Sequence, residues 1–541
     1  MRLNLFRAVI AGCWVVLSTA RYIVPGARWH DTDGNLISAH AGSVGFDDAT
    51  GKFWWFGEYK VEGQTEGGGV SVYSSEDLAT WSHHGLALEP IEGHPYISPD
   101  MVIQRPKVVY SEGTSQYHMW WHADNSSYGL LLQGLATSPT VGGPYTFVNA
   151  TAPLGNWSQD FGLFTDYKDG RSYALYSNGD RREGRDVYVA TYDRDVRTLE
   201  GVVHRFDKYD LEAPCIVQTE SSYYALMSHK TGYRPNSEFA ESFRFPEDAG
   251  VIGINVVNSM GGCVDVVAFR ADSLAGPWSQ PWIVAPLNTR GFNSQSGYTL
   301  TIRGTKQTTR LYLGDQWDSN SLWESRYIWL PMRIDEKKKD LQIEWHDVYD
   351  LNVKTGDWKP VQGETYFGKD ATTKGNAFKQ EANFASDGVI LTGIYGNDST
   401  VTFDGIKGTG NPQWVSFYYQ SQSWQPLTAT VIMLTDILSL FPQTPMTWAS
   451  ATNVSTSGGS PDRIKGDWQL RRISSVVVNG DESNLQTLFQ RDTHKGIILS
   501  TPLLLTLENG SSNTITVGGL SNGVDYKGAD LDRIVVYPPE S

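Results

Sequence analysis

The sequence predicts an all-β protein, a five-bladed β-propeller followed by a β-sandwich, and three observations lead there. Helical periodicity is nearly absent along the 541 residues, where short aromatic and β-branched runs are broken by Gly, Asp-Gly, Asn and Pro turns. Aromatic runs then recur in units of about 50 to 80 residues, each made only of short strands that could not bury both faces alone. From Glu364 onward the texture changes to alternating strands rich in Ser, Thr, Gly and Asn, and the roughly 180 residues that remain fit one sandwich.

Met1 to Ala20 reads as a secretory signal. Arg2 and Arg7 are basic, Ala8 to Leu17 is apolar but too short to span a bilayer, and Ser18-Thr19-Ala20 is a small-residue cleavage site. Sequons at Asn125, Asn149, Asn156, Asn397, Asn453 and Asn509 suit a secreted glycoprotein. Cys13 would leave with the signal. Cys215 and Cys263 could then pair or stay as buried thiols, and two cysteines make no disulfide scaffold or metal site. A formal charge of -16 without a basic patch argues against nucleic acid or an anionic membrane as partner. The 19 Trp and 27 Tyr supply flat apolar faces for cores or for stacking on sugar rings.

Residues 21–352 carry the five propeller units. Their aromatic runs are Phe53-Trp54-Trp55-Phe56, Tyr117 to Trp121, Tyr173 to Tyr176, Tyr224 to Met227 and Leu311-Tyr312-Leu313. Residues 236–263 interrupt the fourth unit as a loop or extra hairpin. The charged run Asp335 to Asp340 reads as a solvated turn, residues 353–363 as a linker and 364–541 as the sandwich. Asp31-Thr32-Asp33-Gly34 reads as a turn.

The units are in phase. His40, Gln104, Asp160 and Glu212 each precede their aromatic run by about a dozen residues, the length of a strand and a hairpin. Gln295 does the same with a slightly longer gap. Just after the start of each run comes a second polar group: Glu58, His122, Asn178, His229, and Asp315 with Trp317. One strand leaves a face and the next returns to it, so both sets point to one central mouth. Glu212 begins the apolar run Leu211 to Val217. Desolvation against Ala, Pro and Ile would raise its pKa, as a general acid needs at neutral pH. His122 and His229 read as buried, hydrogen-bonded histidines rather than ligands, and no stretch has metal-site spacing.

The first 350 residues resemble glycoside hydrolase family 43. The resemblance is carried by Ile23 to Ala27 with Trp29, Ala39-His40-Ala41-Gly42, Trp55-Phe56-Gly57-Glu58, Arg105-Pro106-Lys107-Val108 and Ser158-Gln159-Asp160. It continues through Leu211-Glu212-Ala213-Pro214, Ser294-Gln295, Gly314-Asp315-Gln316-Trp317 and Ser325 to Trp329. It points to the exo-β-1,3-galactanase (galactan 1,3-β-galactosidase) subfamily. The C-terminal region is similar to a family 35 carbohydrate-binding module through Asn513-Thr514-Ile515 and Ala529 to Val535.

The resemblance implies a secreted hydrolase releasing terminal galactose from β-1,3-galactan, the arabinogalactan backbone, with inversion. It implies Glu212 as general acid, Asp160 as the carboxylate tuning it, and Gln295 as the residue that positions water, through its amide or imidic tautomer. Glu58, Gln104, Tyr128, Asn178 and Trp317 would bind galactose. No Asp follows His40, where other family members carry a base. Gln104 replaces the glutamate often found before Arg-Pro-Lys, and so loses a charge-assisted bond to the sugar. No cofactor or metal is implied for catalysis. Calcium in the C-terminal module would rest on Asp530 and Asp532, since Phe367 and Lys369 supply no carboxylate near its first strand. A monomer is expected. The alternatives are an α-L-arabinofuranosidase or β-xylosidase on the same fold, or a catalytically silent galactan-binding protein.

Overall fold

The computed structural model describes residues 21–540 apart from 64–67, 179–185, 230–265, 288, 319–320, 397, 422–471, 494–495 and 519–527. The expected signal, the 236–263 insertion with Cys263, and the sequon residues Asn397 and Asn453 lie outside the described residues. Among the described residues the chain is all-β with almost no helix, and its sheets are antiparallel throughout.

Five four-stranded meanders follow one another. Their first strands are His40–Asp47, Met101–Ser111, Gln159–Thr165, Leu211–Gln218 and Gln295–Arg303, opening units I to V. The first strand of each unit packs on the first strand of the next, and that of unit V returns to that of unit I. These strands form an inner ring. Leu211–Gln218 is buried at every position, which accounts for its nearly continuous apolar sequence. The outermost strand of unit II, Thr146–Thr151, is half-buried or exposed throughout and mixes polar with apolar residues.

Each sheet buries its two faces against its two neighbours. Five apolar clusters fill the five gaps. One holds Phe56, Val72, Ile103 and Met119 between units I and II. Trp120 and Leu135 meet Tyr176 and Tyr188 between II and III. Leu175 meets Ile216 and Ala225 between III and IV, and Cys215 and Leu226 meet Tyr312 and Ile328 between IV and V. The last gap, between V and I, is the most aromatic: Trp55, Trp81, Tyr327 and Trp329 pack together, with Trp55 and Trp329 centroids 4.8 Å apart.

Residues 353–363 are not a free connector. Trp358–Pro360 pairs with Tyr349–Leu351, which pairs in turn with Tyr22–Ile23, so the stretch completes a three-stranded sheet. Alternation was too short there for the strand to be read. Beyond it, a six-stranded and a five-stranded sheet enclose one core that includes Leu391, Phe417, Ile515 and Ile534. This C-terminal region docks on the ring through Val24, Ala27, Val348, Val535 and Tyr537. There Asp347 accepts from the Tyr537 hydroxyl at 2.7 Å and from that of Tyr418.

The two expected turns form. Asp31 Oδ1 accepts from the Asp33 and Asn35 amides, and Asp335 Oδ1 from those of Lys337 and Lys338. Cys215 carries a buried thiol, which burial pushes up to about 12.

Candidate active site

The two polar sets face each other directly across the first hairpin in units I, II and V, whereas Asp160 and Asn178 each stand one residue beyond a registered pair and Glu212 pairs with Ser228 rather than His229. His40 pairs with Glu58, Gln104 with His122, Gln159 with Ser177, Leu211 with His229 and Gln295 with Asp315. At each of these pairs, or one residue beyond it in units IV and V, the register slips, so every inner strand carries a bulge at nearly the same depth. In four units the bulge holds a non-glycine residue in the left-handed region: Ala41 (φ 49), Arg105 (φ 58), Asp160 (φ 57) and Ala213 (φ 55). A bulge turns a backbone N–H out of its own ladder and re-aims the side chains beside it.

Carboxylates of the preceding unit take up three of those N–H groups. The Ala41 amide donates to Asp315 Oδ2 at 3.0 Å, that of Arg105 to Glu58 Oε1 at 2.9 Å and that of Ala213 to Asp160 Oδ2 at 2.9 Å. Glu58, Asp315 and Asp160 are therefore fixed by backbone as well as by sequence. Gly42 belongs to this arrangement, because a Cβ on it would lie 1.6 Å from the Phe56 carbonyl oxygen.

Arg105 stands at the centre. Its Nε donates to Asp160 Oδ1 at 2.8 Å, its Nη2 to Gln295 Oε1 at 2.6 Å and its Nη1 to the Ser296 carbonyl at 3.3 Å. Burial works against its charge, but Asp160, Glu58 and Glu212 more than offset that and hold the guanidinium above its ordinary value. Asp160 thus bridges Arg105 and the backbone beside Glu212.

Gln295 Nε2 donates to Glu212 Oε1 at 2.9 Å, and Gln295 Oε1 also accepts from the Trp317 indole at 2.9 Å. Two donors on that oxygen fix which end of the amide faces Glu212. Glu212 is 5 % exposed, in a groove of buried polar groups. Before Gln295 the chain makes one left-handed turn, with Arg290, Gly291, Phe292 and Asn293 all at φ between 55 and 60. Such a turn is costly for non-glycine residues, about 1–2 kcal/mol each, and strain of this kind collects at functional sites.

The expected sugar contacts divide in two. Gln104 Nε2 donates to the Tyr128 hydroxyl at 2.7 Å, and Glu58 forms a buried ion pair with Lys60 at 2.8 Å, so these groups share one wall. Trp317 belongs to unit V, by Gln295 and 5.6 Å from the His40 ring. Asn178 follows the second strand of unit III, Ser172–Ser177, and its Oδ1 accepts from the Asp186 amide at 3.2 Å. His40 is fully buried, stacked on Tyr327 at 5.0 Å and 3.4 Å from Asp315. His122 is likewise buried, with Nε2 2.9 Å from Asp124. Both occupy interior positions, and the side chain of His229 lies outside the described residues.

Two groups were missed in the sequence. Arg105 was noticed only as part of a motif, although an arginine at the phase of the other inner polar residues, followed by a ladder-breaking proline, marks it. Lys107, fully buried below it, donates to the carbonyls of Ala41 at 2.6 Å and Arg105 at 3.3 Å. Burial, reinforced by the Arg105 charge, pulls its ammonium down to about 7.

Among the described residues no group of His, Cys, Asp and Glu could hold a metal ion. Asp532 is spent on the Ser386 amide and hydroxyl at 2.8 and 2.7 Å, and burial raises the Asp530 carboxyl.

The sequence matches no family model and no curated protein. Solved structures do match. The exo-β-1,3-galactanase from Phanerochaete chrysosporium, solved with galactose, is 29% identical, covers 96% of this chain and 100% of its own, and has a TM-score of 0.75. The same enzyme is known as a Glu-to-Gln variant with β-1,3-galactotriose. A family 43 β-1,3-galactosidase with galactodeoxynojirimycin is 28% identical over 60% of this chain and 99% of its own, with a TM-score of 0.50. At 24% identity, a structure from Bifidobacterium bifidum shares the fold over 60% of this chain and 97% of its own, with a TM-score of 0.51. The chain is accordingly a glycoside hydrolase, and over nearly its whole length its structure is similar to that of a family 43 exo-β-1,3-galactanase.

Proposed function

We propose that this enzyme removes galactose from the non-reducing end of β-1,3-galactan with inversion at the anomeric carbon. The ring of five sheets is read as a five-bladed propeller over residues 21–352, and residues 364–541 as a carbohydrate-binding sandwich. The observation that carries the reading is the Glu212–Gln295 contact held by Arg105 and Trp317. It sits in a chain similar from end to end to a galactanase solved with galactose.

Glu212, as general acid, gives its proton to the glycosidic oxygen while the C1–O bond breaks and its electrons stay on that oxygen. Water adds to C1 from the opposite face and releases a proton to solvent. Gln295 orients that water with its amide; a neutral amide is a poor proton acceptor, so its part is orientation. Glu212 and Gln295 touch, and a sugar ring placed between acid and water has to part them. Asp160 holds the backbone next to Glu212 and shares Arg105 with Gln295, so it ties the two groups to one frame. Glu58, Gln104, Tyr128, Asn178 and Trp317 would bind the galactose hydroxyls and ring face. The chemistry needs no metal. Secretion and glycosylation complete the reading, on the strength of the leader and sequons.

The test is incubation of the purified protein with linear β-1,3-galactan, following released sugar by chromatography and its anomeric form by NMR. Free galactose appearing first as the α-anomer is expected. Binding without release, or oligosaccharides released from the chain interior, would overturn the reading.

A further inference from the structure

The left-handed turn that aims Gln295 is held from outside the ring. In the C-terminal region, the segment after Gln486–Gln490 reaches back to the mouth with Arg491 and Asp492. Arg491 Nη1 donates to the Trp317 carbonyl at 3.1 Å and lies 3.6 Å from the Asp318 carboxylate. Asp492 Oδ2 is 3.6 Å from Arg290, and its carbonyl accepts from Asn293 Nδ2 at 3.3 Å. The segment is anchored in its own region, because the Arg491 amide donates to the Tyr419 hydroxyl at 2.8 Å and Ser421 and Thr493 bond to each other.

Two neighbouring residues therefore grip both walls of Gln295. Arg491 holds the backbone of Trp317, whose indole bonds to Gln295 Oε1. Asp492 holds both ends of the turn Arg290–Asn293, which leads into Gln295. A turn of four residues at positive φ does not persist without outside support. Its two ends are held by a segment roughly 200 residues later in the chain, through contacts that also supply charge.

We propose that Arg491 and Asp492 are positioning residues for Gln295, so that the C-terminal region is a structural part of the hydrolytic site and not only a module that binds polysaccharide. The proposal rests on the assignment of Gln295 to water orientation. It predicts that loosening this grip lowers turnover more than it weakens sugar binding, since Glu58, Gln104 and Tyr128 belong to units I and II and only Trp317 among the expected sugar contacts is held by it.

The experiment compares full-length Arg491→Ala, Asp492→Ala, Arg491→Lys and Tyr418→Phe with the unaltered protein. The last variant removes a hydroxyl from the docking surface at Asp347, away from the mouth. Readouts are kcat and KM on β-1,3-galactan, Tm, and hydrogen exchange of the peptide spanning 290–297. Expected for the two alanine variants are a tenfold or greater loss of kcat, Tm within a few degrees and faster exchange at 290–297, with KM within threefold in Asp492→Ala and a rise in KM smaller than the loss of kcat in Arg491→Ala, which also releases Trp317. Arg491→Lys should recover part of kcat, and Tyr418→Phe should lose none. Unchanged kcat and exchange in both alanine variants would overturn the proposal, as would an equal loss in Tyr418→Phe. An unaltered protein that releases no galactose, with exchange at 290–297 still faster in Arg491→Ala, would instead defeat the galactanase reading and leave the grip standing.

Discussion

Gln295 and Glu212 meet through a 2.9 Å hydrogen bond from amide to carboxylate, although their strands belong to different sheets. Arg105 holds both from a third sheet, by a direct bond to Gln295 and through Asp160 to the backbone beside Glu212. The site is therefore a joint between units rather than a property of any one of them, and its consequences can be measured.

Replacing Glu212 with Gln keeps the shape and removes the proton. Turnover of β-1,3-galactan should fall by about 10²–10⁴, the usual worth of a general acid, with Tm unchanged. Activity close to that of the unaltered protein would remove Glu212 from the mechanism.

Arg105→Met would leave buried Asp160 short of a charged partner, whereas Glu58 keeps Lys60. Losing one member of a buried pair costs about 3–5 kcal/mol, so both Tm and activity should drop. Arg105→Lys should fail to restore kcat, because an ammonium cannot span Asp160 and Gln295 as the planar fork does. Recovery by Lys would argue that charge alone suffices.

Gln104→Glu should strengthen substrate binding. A charge-assisted bond to a sugar hydroxyl exceeds a neutral one by about 1 kcal/mol, a fewfold lower KM with kcat nearly unchanged. A rise in KM would show that the Tyr128 contact prefers the amide donor.

Lys107 gives a pH signature. Its ammonium titrates at about 7 in the folded chain, below its ordinary value of 10.5. The unfolded chain therefore binds more protons between those values, and stability contributed by this group rises across that window. Below pH 7 both states are charged and the burial penalty is felt in full. Lys107→Met removes the titration, so its Tm relative to the unaltered protein should be most favourable near pH 6 and fall behind by pH 9, a swing on the order of 2–4 kcal/mol. Parallel melting curves at the two pH values would show that Lys107 does not titrate there.

Trp329→Ala opens the aromatic gap between the last and first units. A buried Trp truncated to Ala costs about 3–5 kcal/mol, read as a large loss of Tm in thermal melts. A loss below 1 kcal/mol would mean the gap can collapse.

Much of this was legible from residue types and spacing. Strand and hairpin lengths are local properties, so the positions of His40, Gln104, Glu212 and Gln295 on the inner strands and of Glu58 and Asp315 on the returning ones could be read. The bulges could not. They depend on which backbone N–H finds a carboxylate on the next sheet, and nothing near Ala41 or Ala213 in the sequence announces Asp315 or Asp160. Arg105 as a hub, and the reach of Arg491 to Trp317, were hidden for the same reason: both join residues brought together only by the finished fold. The strand at Trp358–Pro360 escaped notice because three residues carry too little alternation to register.

Tyr22–Ile23 lies beside Tyr349–Leu351, so the two ends of the ring are neighbours in space. A chain whose ends already touch can be reconnected there and reopened elsewhere with little change in the contacts that hold it. The order in which the five units are translated is then a convention of the gene rather than a requirement of the architecture, and rearranged versions starting at another unit should still assemble the same mouth.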